Sequence, residues 1–356
     1  MSDESPIPEP NPGATPRLAR RAIVAAGVGV VVAAAAAGAF AFFRSEPAAP
    51  LLELFPSESY LVATLDMDAL RKGPLGDLAG EGDAQARTRA STLLGGCADA
   101  AVAAVREVGL VVPGGPGDEG RFAFVARLDP RGTWLAACDA EVTARSATTP
   151  RETEGAWTYI GSKAGPRLAI HRSGIALWGR EDYLHVLAAA VFRREAERRY
   201  PSLASRVQDG TRPIHAFAAI SLPAEQRRAF ASMVPDGAAG GAHTELFSIA
   251  RAGLAATADG PNDSLEVVAR FEVDDSAAIP ELRTTVDKLV RTLAESREAR
   301  ALGVGDSVAE ARVKVTGDAV VVSVVAPIAR LRMMAKRLRL MGELRSLGRK
   351  AVEPAP

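Results

Sequence analysis

Two cysteines, four histidines and the closely spaced Asp66 and Asp68 are residues of this 356-residue chain whose types could do chemistry. Cys97 follows Gly95-Gly96, and Cys138 ends the apolar run Trp134-Leu135-Ala136-Ala137. Two thiols are too few for a cysteine-only zinc site or a disulfide-built miniprotein. No Cys-x-x-Cys occurs, so redox exchange is not indicated. In an oxidising compartment the two are expected to pair, the alternative being two buried thiols that pack as small hydrophobes.

His171, His185, His215 and His243 include no His-x-x-x-His or His-Glu-x-x-His, so no helical face presents two imidazoles to a metal. His243-Thr244-Glu245 reads as a polar cluster. Asp66 and Asp68 stand two apart at a strand end. Such a pair can bind a cation or exchange protons, but the reading preferred is that Asp68 caps the next helix. Gly-x-Ser-x-Gly is absent. Gly114-Gly115-Pro116-Gly117 lacks the Lys-Ser/Thr of a phosphate loop and reads as a hairpin tip. No catalytic residue, metal site or cofactor is predicted.

The elements that would position these residues begin with an anchor. Ala22 to Phe43 carries no charge, Asn, Gln or Pro, and about 20 apolar residues suffice to cross a bilayer. Arg17, Arg20 and Arg21 precede it and Arg44 follows, which predicts a cytoplasmic N-terminus and an external body. A cleaved signal peptide is the rival, with Ala39-Phe40-Ala41 as its small-x-small signal. The apolar run and the polar leader are both long for one. The Pro-rich leader is expected to be a disordered tail over 1–21. The span covers 22–43, and a linker 44–54.

Beyond it, apolar runs with β-branched and aromatic residues, separated by turn signals, alternate with helical patterns. The expected strands are Tyr60 to Met67, Val108 to Val112, Phe122 to Leu128, Trp157 to Ile160, Arg167 to His171 and Ile175 to Trp178. A helix over Tyr183 to Arg199 closes a first half, 55–200. A polar, turn-rich connection is placed at 201–212. A second half, 213–350, repeats the order strand, helix, hairpin, helix, hairpin, helix, and 351–356 is a tail. The fold class is α+β, two similar halves of antiparallel hairpins with packed helices.

The last helix interleaves Leu331, Met334, Leu338, Met341 and Leu344 with bases. Arg332, Lys336 and Arg339 are its candidates for contact with lipid or a partner, although the same pattern serves a helix packed on a sheet. The net charge of zero gives no field that would draw the body to nucleic acid.

Pro56-Ser-Glu-Ser-Tyr-Leu-Val-Ala-Thr-Leu-Asp-Met-Asp-Ala-Leu-Arg resembles the opening of uncharacterised bacterial, myxobacterial-type envelope proteins with an N-terminal anchor. The resemblance covers the anchor, this opening and the duplicated plan. It implies location and fold, and no activity. The expectation is therefore a single-pass protein of a bacterial inner membrane with a periplasmic body. Its function is expected to be non-enzymatic binding or scaffolding of an unknown envelope protein or ligand. The alternative is an envelope enzyme, hydrolase-like, whose site assembles only in space.

Overall fold

Leu61–Asp66 alternates half-exposed and buried residues, as a strand with two unlike faces must, and forms β1. It is a central strand of one antiparallel sheet, seen in a computed structural model. The structure describes residues 51–337 except 74–75, 114–120, 130–137, 139, 142, 145–149, 192–198, 208–213, 226, 229–243, 260–262 and 335. The expected leader, the span Ala22 to Phe43, the linker as far as residue 50 and Arg339 lie outside the described residues. No described helix is long and apolar enough to cross a membrane.

The first half continues with helices α1 (Met67–Lys72), α2 (Gly76–Leu94) and α3 (Ala98–Ala104). Strands β2 (Val105–Val112) and β3 (Ala123–Leu128) follow. Then come β4 (Arg151–Glu154), β5 (Trp157–Ile160), β6 (Pro166–His171), β7 (Ile175–Arg180) and helix α4 (Glu181–Ala190). A further helix, α5 (Arg199–Val207), leads to β8 (Ala216–Ser221), β9 (Ile249–Asp259) and β10 (Ser264–Val273). Helices α6 (Ile279–Glu295), α7 (Arg297–Leu302) and α8 (Gly305–Ala309) precede β11 (Arg312–Thr316) and β12 (Ala319–Pro327). A last helix, α9, begins at residue 328.

The sheet has twelve strands in the order β11-β12-β10-β9-β8-β1-β2-β3-β7-β6-β5-β4. The fold is α+β. Outward from the central β1–β8 pair, both halves run first, second, third, last, last but one, and the β4–β5 hairpin extends the first. The registers agree residue by residue. Setting Leu61–Asp66 on Ala216–Ser221 carries Gly109, partner of Thr64, onto Gly253, partner of Ala219. It also carries Glu107, partner of Asp66, onto Arg251, partner of Ser221. Arg127, opposite Glu107, falls on Glu272, opposite Arg251.

Both matched glycines lie where an overlying segment touches the sheet. A Cβ on Gly109 would stand 2.7 Å from Phe55 Cζ and 2.9 Å from the Ala63 carbonyl. One on Gly253 would stand 2.7 Å from Val207 Cγ2 and 3.1 Å from Leu203 Cγ. The 3-10 turn Leu51–Leu54 and helix α5 thus occupy corresponding places. Leu51 is fully buried although it was expected in the linker. Residues 201–207, expected in a connection, are helical, with Pro201 in the first turn, where its missing N–H costs nothing.

The two sheet faces are covered differently. One carries Val62, Val111, Val125, Leu177 and Phe217 beneath Leu51, α4 and α5. On the other, α2, α3 and Cys138 cover the outer strands of the first half, while α6 covers the second. The buried Ile328, Leu331 and Met334 of α9 pack with Leu70, Ala216 and Leu265. Strand β4 escaped the sequence reading because Arg-Glu-Thr-Glu has no apolar alternation. Its turn, with Gly155 at φ +59°, pairs it with β5.

Candidate functional site

Strands β8, β1, β2, β3 and β7 present one row of side chains on the face away from α5. The register runs Ala218–Ala63–Leu110–Phe124–Trp178. On the opposite face the same strands bury Val62, Val111 and Val125 almost completely. In this row Ala218, Ala63, Leu110 and Trp178 are only half-buried, and Phe124 is 47% exposed. Leu61 and Ile220, directly paired, extend the half-buried surface toward the neighbouring end.

Phe122, 37% exposed, completes an aromatic cluster there. Its ring lies 5.6 Å from Phe124, edge to face, and 6.3 Å from Trp178, while Phe124 and Trp178 are 5.7 Å apart. Such edge and tilted contacts suit the ring quadrupoles, and each contributes about 0.5–1.5 kcal/mol. Three touching, solvent-facing aromatics are uncommon on a monomer surface and mark contact sites. Arg121 and Asp182, 3.2 Å apart, provide a polar neighbour in the same strand and helix region. The row itself has no acid, base or nucleophile. It can exclude water from an apolar partner, and does no bond chemistry.

The residues singled out from sequence are scattered. Asp66 is the N-cap of α1 and accepts the Ala69 N–H at 2.9 Å. Asp68, expected as that cap, instead lies in the first turn of the helix and binds Arg106 at 2.5 Å. The strand ends at Asp66, one residue before the expected Met67, and the cap stands two residues before Asp68. His215 is buried, which pushes its pKa down against the opposing charge of Asp66, and its Nδ1 has no hydrogen-bond partner. His171 lies in the β6–β7 turn region, 4.9 Å from Trp157, with Nδ1 accepting the Ser173 N–H. His185 stacks on Tyr159 at 4.5 Å. Among the described residues no three metal-ligating side chains gather. His243 and the Gly114–Gly117 loop lie outside the described residues.

Cys97 and Cys138 form a disulfide across 41 residues. Both are buried with Leu94, Ala98, Leu128 and Ile170, so the bond ties the turn after α2 to the Cys138 segment within the layer that covers the first half. Arg332 and Lys336 are exposed on α9, whose apolar side is spent on the core.

Several groups escaped the sequence reading. Arg167 is fully buried, held by Glu181 at 2.8 Å and Glu152 at 3.2 Å. Glu107 and Arg127 face each other at 3.4 Å, and the carboxylate also accepts the Leu51 N–H at 3.1 Å. Burial, outweighing Arg127 and that N–H, pushes Glu107 up to about 7. Glu272 is buried among Arg206, Arg251 and Arg270 at 2.8–2.9 Å. Burial alone would raise its pKa. Hydrogen bonds from Arg206 and Arg270, and the charges of Arg206 and Arg251, outweigh burial and hold it below the usual carboxylate value. The available signal was a charge inside an apolar strand run, as in Val-Arg-Glu-Val-Gly-Leu and Ala-Arg-Phe-Glu-Val.

No protein-family model and no curated protein matches the chain. Among solved structures, crystal form I of TP0453 aligns over 83% of this chain and 99% of its own. The identity is 11% and the TM-score 0.43.

Proposed function

We propose that this chain is a non-enzymatic binding protein of the bacterial envelope, anchored by Ala22 to Phe43 in the inner membrane with its body in the periplasm. In this reading the body arose by duplication of a half built as strand, helix, hairpin, helix, hairpin, helix. The matched strand orders and the coincidence of Gly109 with Gly253 favour that history. The Cys97–Cys138 bond favours an oxidising compartment. The basic residues before the apolar run, against Arg44 alone just after it, favour the orientation.

The observation that carries the binding role is the half-exposed row Ala63–Leu110–Phe124–Trp178 with Phe122 beside it. The occupant proposed is an apolar segment of another envelope protein, laid over the open sheet face. Burying the three rings would remove a few hundred Å² from water, at about 25 cal/mol per Å². Aromatic anchors of this kind dominate protein interfaces.

The test is a photo-crosslinking amino acid placed at position 124 of the full-length protein in native membranes, with position 315 as control. Val315, on the far edge of the sheet, is exposed to a similar degree. A discrete adduct from position 124 alone, abolished by Trp178→Glu, is the expected result. Equal labelling from both positions, or none from position 124, rejects this face as the binding surface.

A further inference from the structure

The buried Glu272 cluster leaves cationic groups unused. Glu272 has two oxygens and three guanidinium partners. Arg270 is almost fully buried and turns its second nitrogen to Asp318 at 3.0 Å. Arg206 spends Nε and one terminal nitrogen on Glu272 and the other on Ser202. Arg251 is different. Its Nε lies 2.9 Å from Glu272 Oε2 as an ion pair, yet that nitrogen completes no hydrogen bond among the described residues. Its side chain is 35% exposed and that of Arg206 40%. Among the described residues, three arginines against Glu272 and Asp318 leave one positive charge over.

The corresponding place in the first half lacks this surplus. There Glu107 faces the single Arg127, and the N–H of Leu51 takes both carboxylate oxygens. The surplus is therefore a property of the second half and not of the shared architecture.

We propose that Arg251, supported by Arg206 and oriented by Glu272, binds an oxyanion, a carboxylate or phosphate group of a small solute, on the α5-covered face of the sheet. A guanidinium fork matches either group in two parallel hydrogen bonds. Glu272 pre-orients the fork, so little side-chain entropy is lost on binding. This site lies on the opposite face from the aromatic row and does not rest on the role proposed for that row.

The experiment is thermal unfolding of the full-length protein in detergent, with sodium phosphate, sodium succinate or sodium chloride titrated at one ionic strength. The expected result is a rise in midpoint with phosphate or succinate beyond that with chloride. A rise in phosphate alone assigns a phosphate group, and a rise in succinate alone a carboxylate. Arg251→Ala is expected to weaken the apparent affinity roughly tenfold or more. Arg251→Lys, which keeps the charge and loses the fork, is expected to fall between and serves as the test if the alanine variant does not fold. Equal midpoints in all three salts, or an undiminished rise in Arg251→Lys, overturn the proposal.

Discussion

The same rung of the sheet carries opposite charges in the two halves. In the first, the carboxylate sits on the second strand and the guanidinium on the third, as Glu107 and Arg127. In the second, Arg251 and Glu272 exchange those places. One cation leaves Glu107 with burial as its dominant influence, and its pKa rises to about 7. Three cations overcome burial at Glu272, and its pKa falls. A buried carboxylate is thus set by how many donors converge on it, more than by where the strand places it.

The largest test of that contrast is Glu272→Ala, which leaves Arg270 buried without its main partner. A loss of about 4–5 kcal/mol is expected in urea unfolding, the upper range for one broken buried pair. A loss under about 1 kcal/mol would show that the arginines reach solvent on their own. Acid should act in the same direction. Because Glu272 is depressed, its stabilisation is present above the unfolded carboxylate pKa and is lost as pH falls through the lowered folded value.

Next in size is the disulfide, which only the first half carries. Replacing Cys97 and Cys138 by alanine frees a loop of 41 residues. The chain-entropy relation gives about 4 kcal/mol, and the measured urea midpoint should fall accordingly. A second-half transition that moves as far as the first would mean that the halves unfold together.

The matched glycines give a smaller and sharper comparison. Gly109→Ala drives a methyl into the Ala63 carbonyl, which cannot move without breaking the β1–β2 ladder, and should cost about 2–3 kcal/mol. Gly253→Ala meets only the side chains of Val207 and Leu203, which can shift, and about 1 kcal/mol is expected. The reverse order in paired denaturation curves would break the correspondence.

Glu107→Gln should act in the opposite direction, stabilising the fold, and only at high pH. A carboxyl whose folded pKa lies above its unfolded value stabilises fully below 4.5, and that contribution is lost as pH rises through about 7. The variant should match the parent near pH 4 and exceed it by about 1–2 kcal/mol at pH 8. A variant less stable than the parent at pH 8 would show that the ion pair with Arg127 outweighs the burial.

Much of this architecture is legible in one dimension. Apolar runs marked β1, and apolar runs joined by turn residues marked the β2–β3, β6–β7, β9–β10 and β11–β12 hairpins. Helical spacing marked α6. The order of the strands other than β4 could be read because hairpin patterns depend on near neighbours. Where the reading slipped, distant contacts decided. The boundary at 201–212 looked polar, yet Leu203 and Val207 are buried because Gly253 makes room for them.

The sequence by itself determined the apolar N-terminal run, the α+β class and the pairing candidates among its cysteines, for composition and short-range period suffice there. Only the tertiary structure decided that Glu107 would stand alone with Arg127 while Glu272 gathered three arginines, and that Leu110, Phe124 and Trp178 would share one open row. Those outcomes depend on strand register and on which helix covers which face. Both are set by packing between residues far apart in the chain, and no local pattern encodes them.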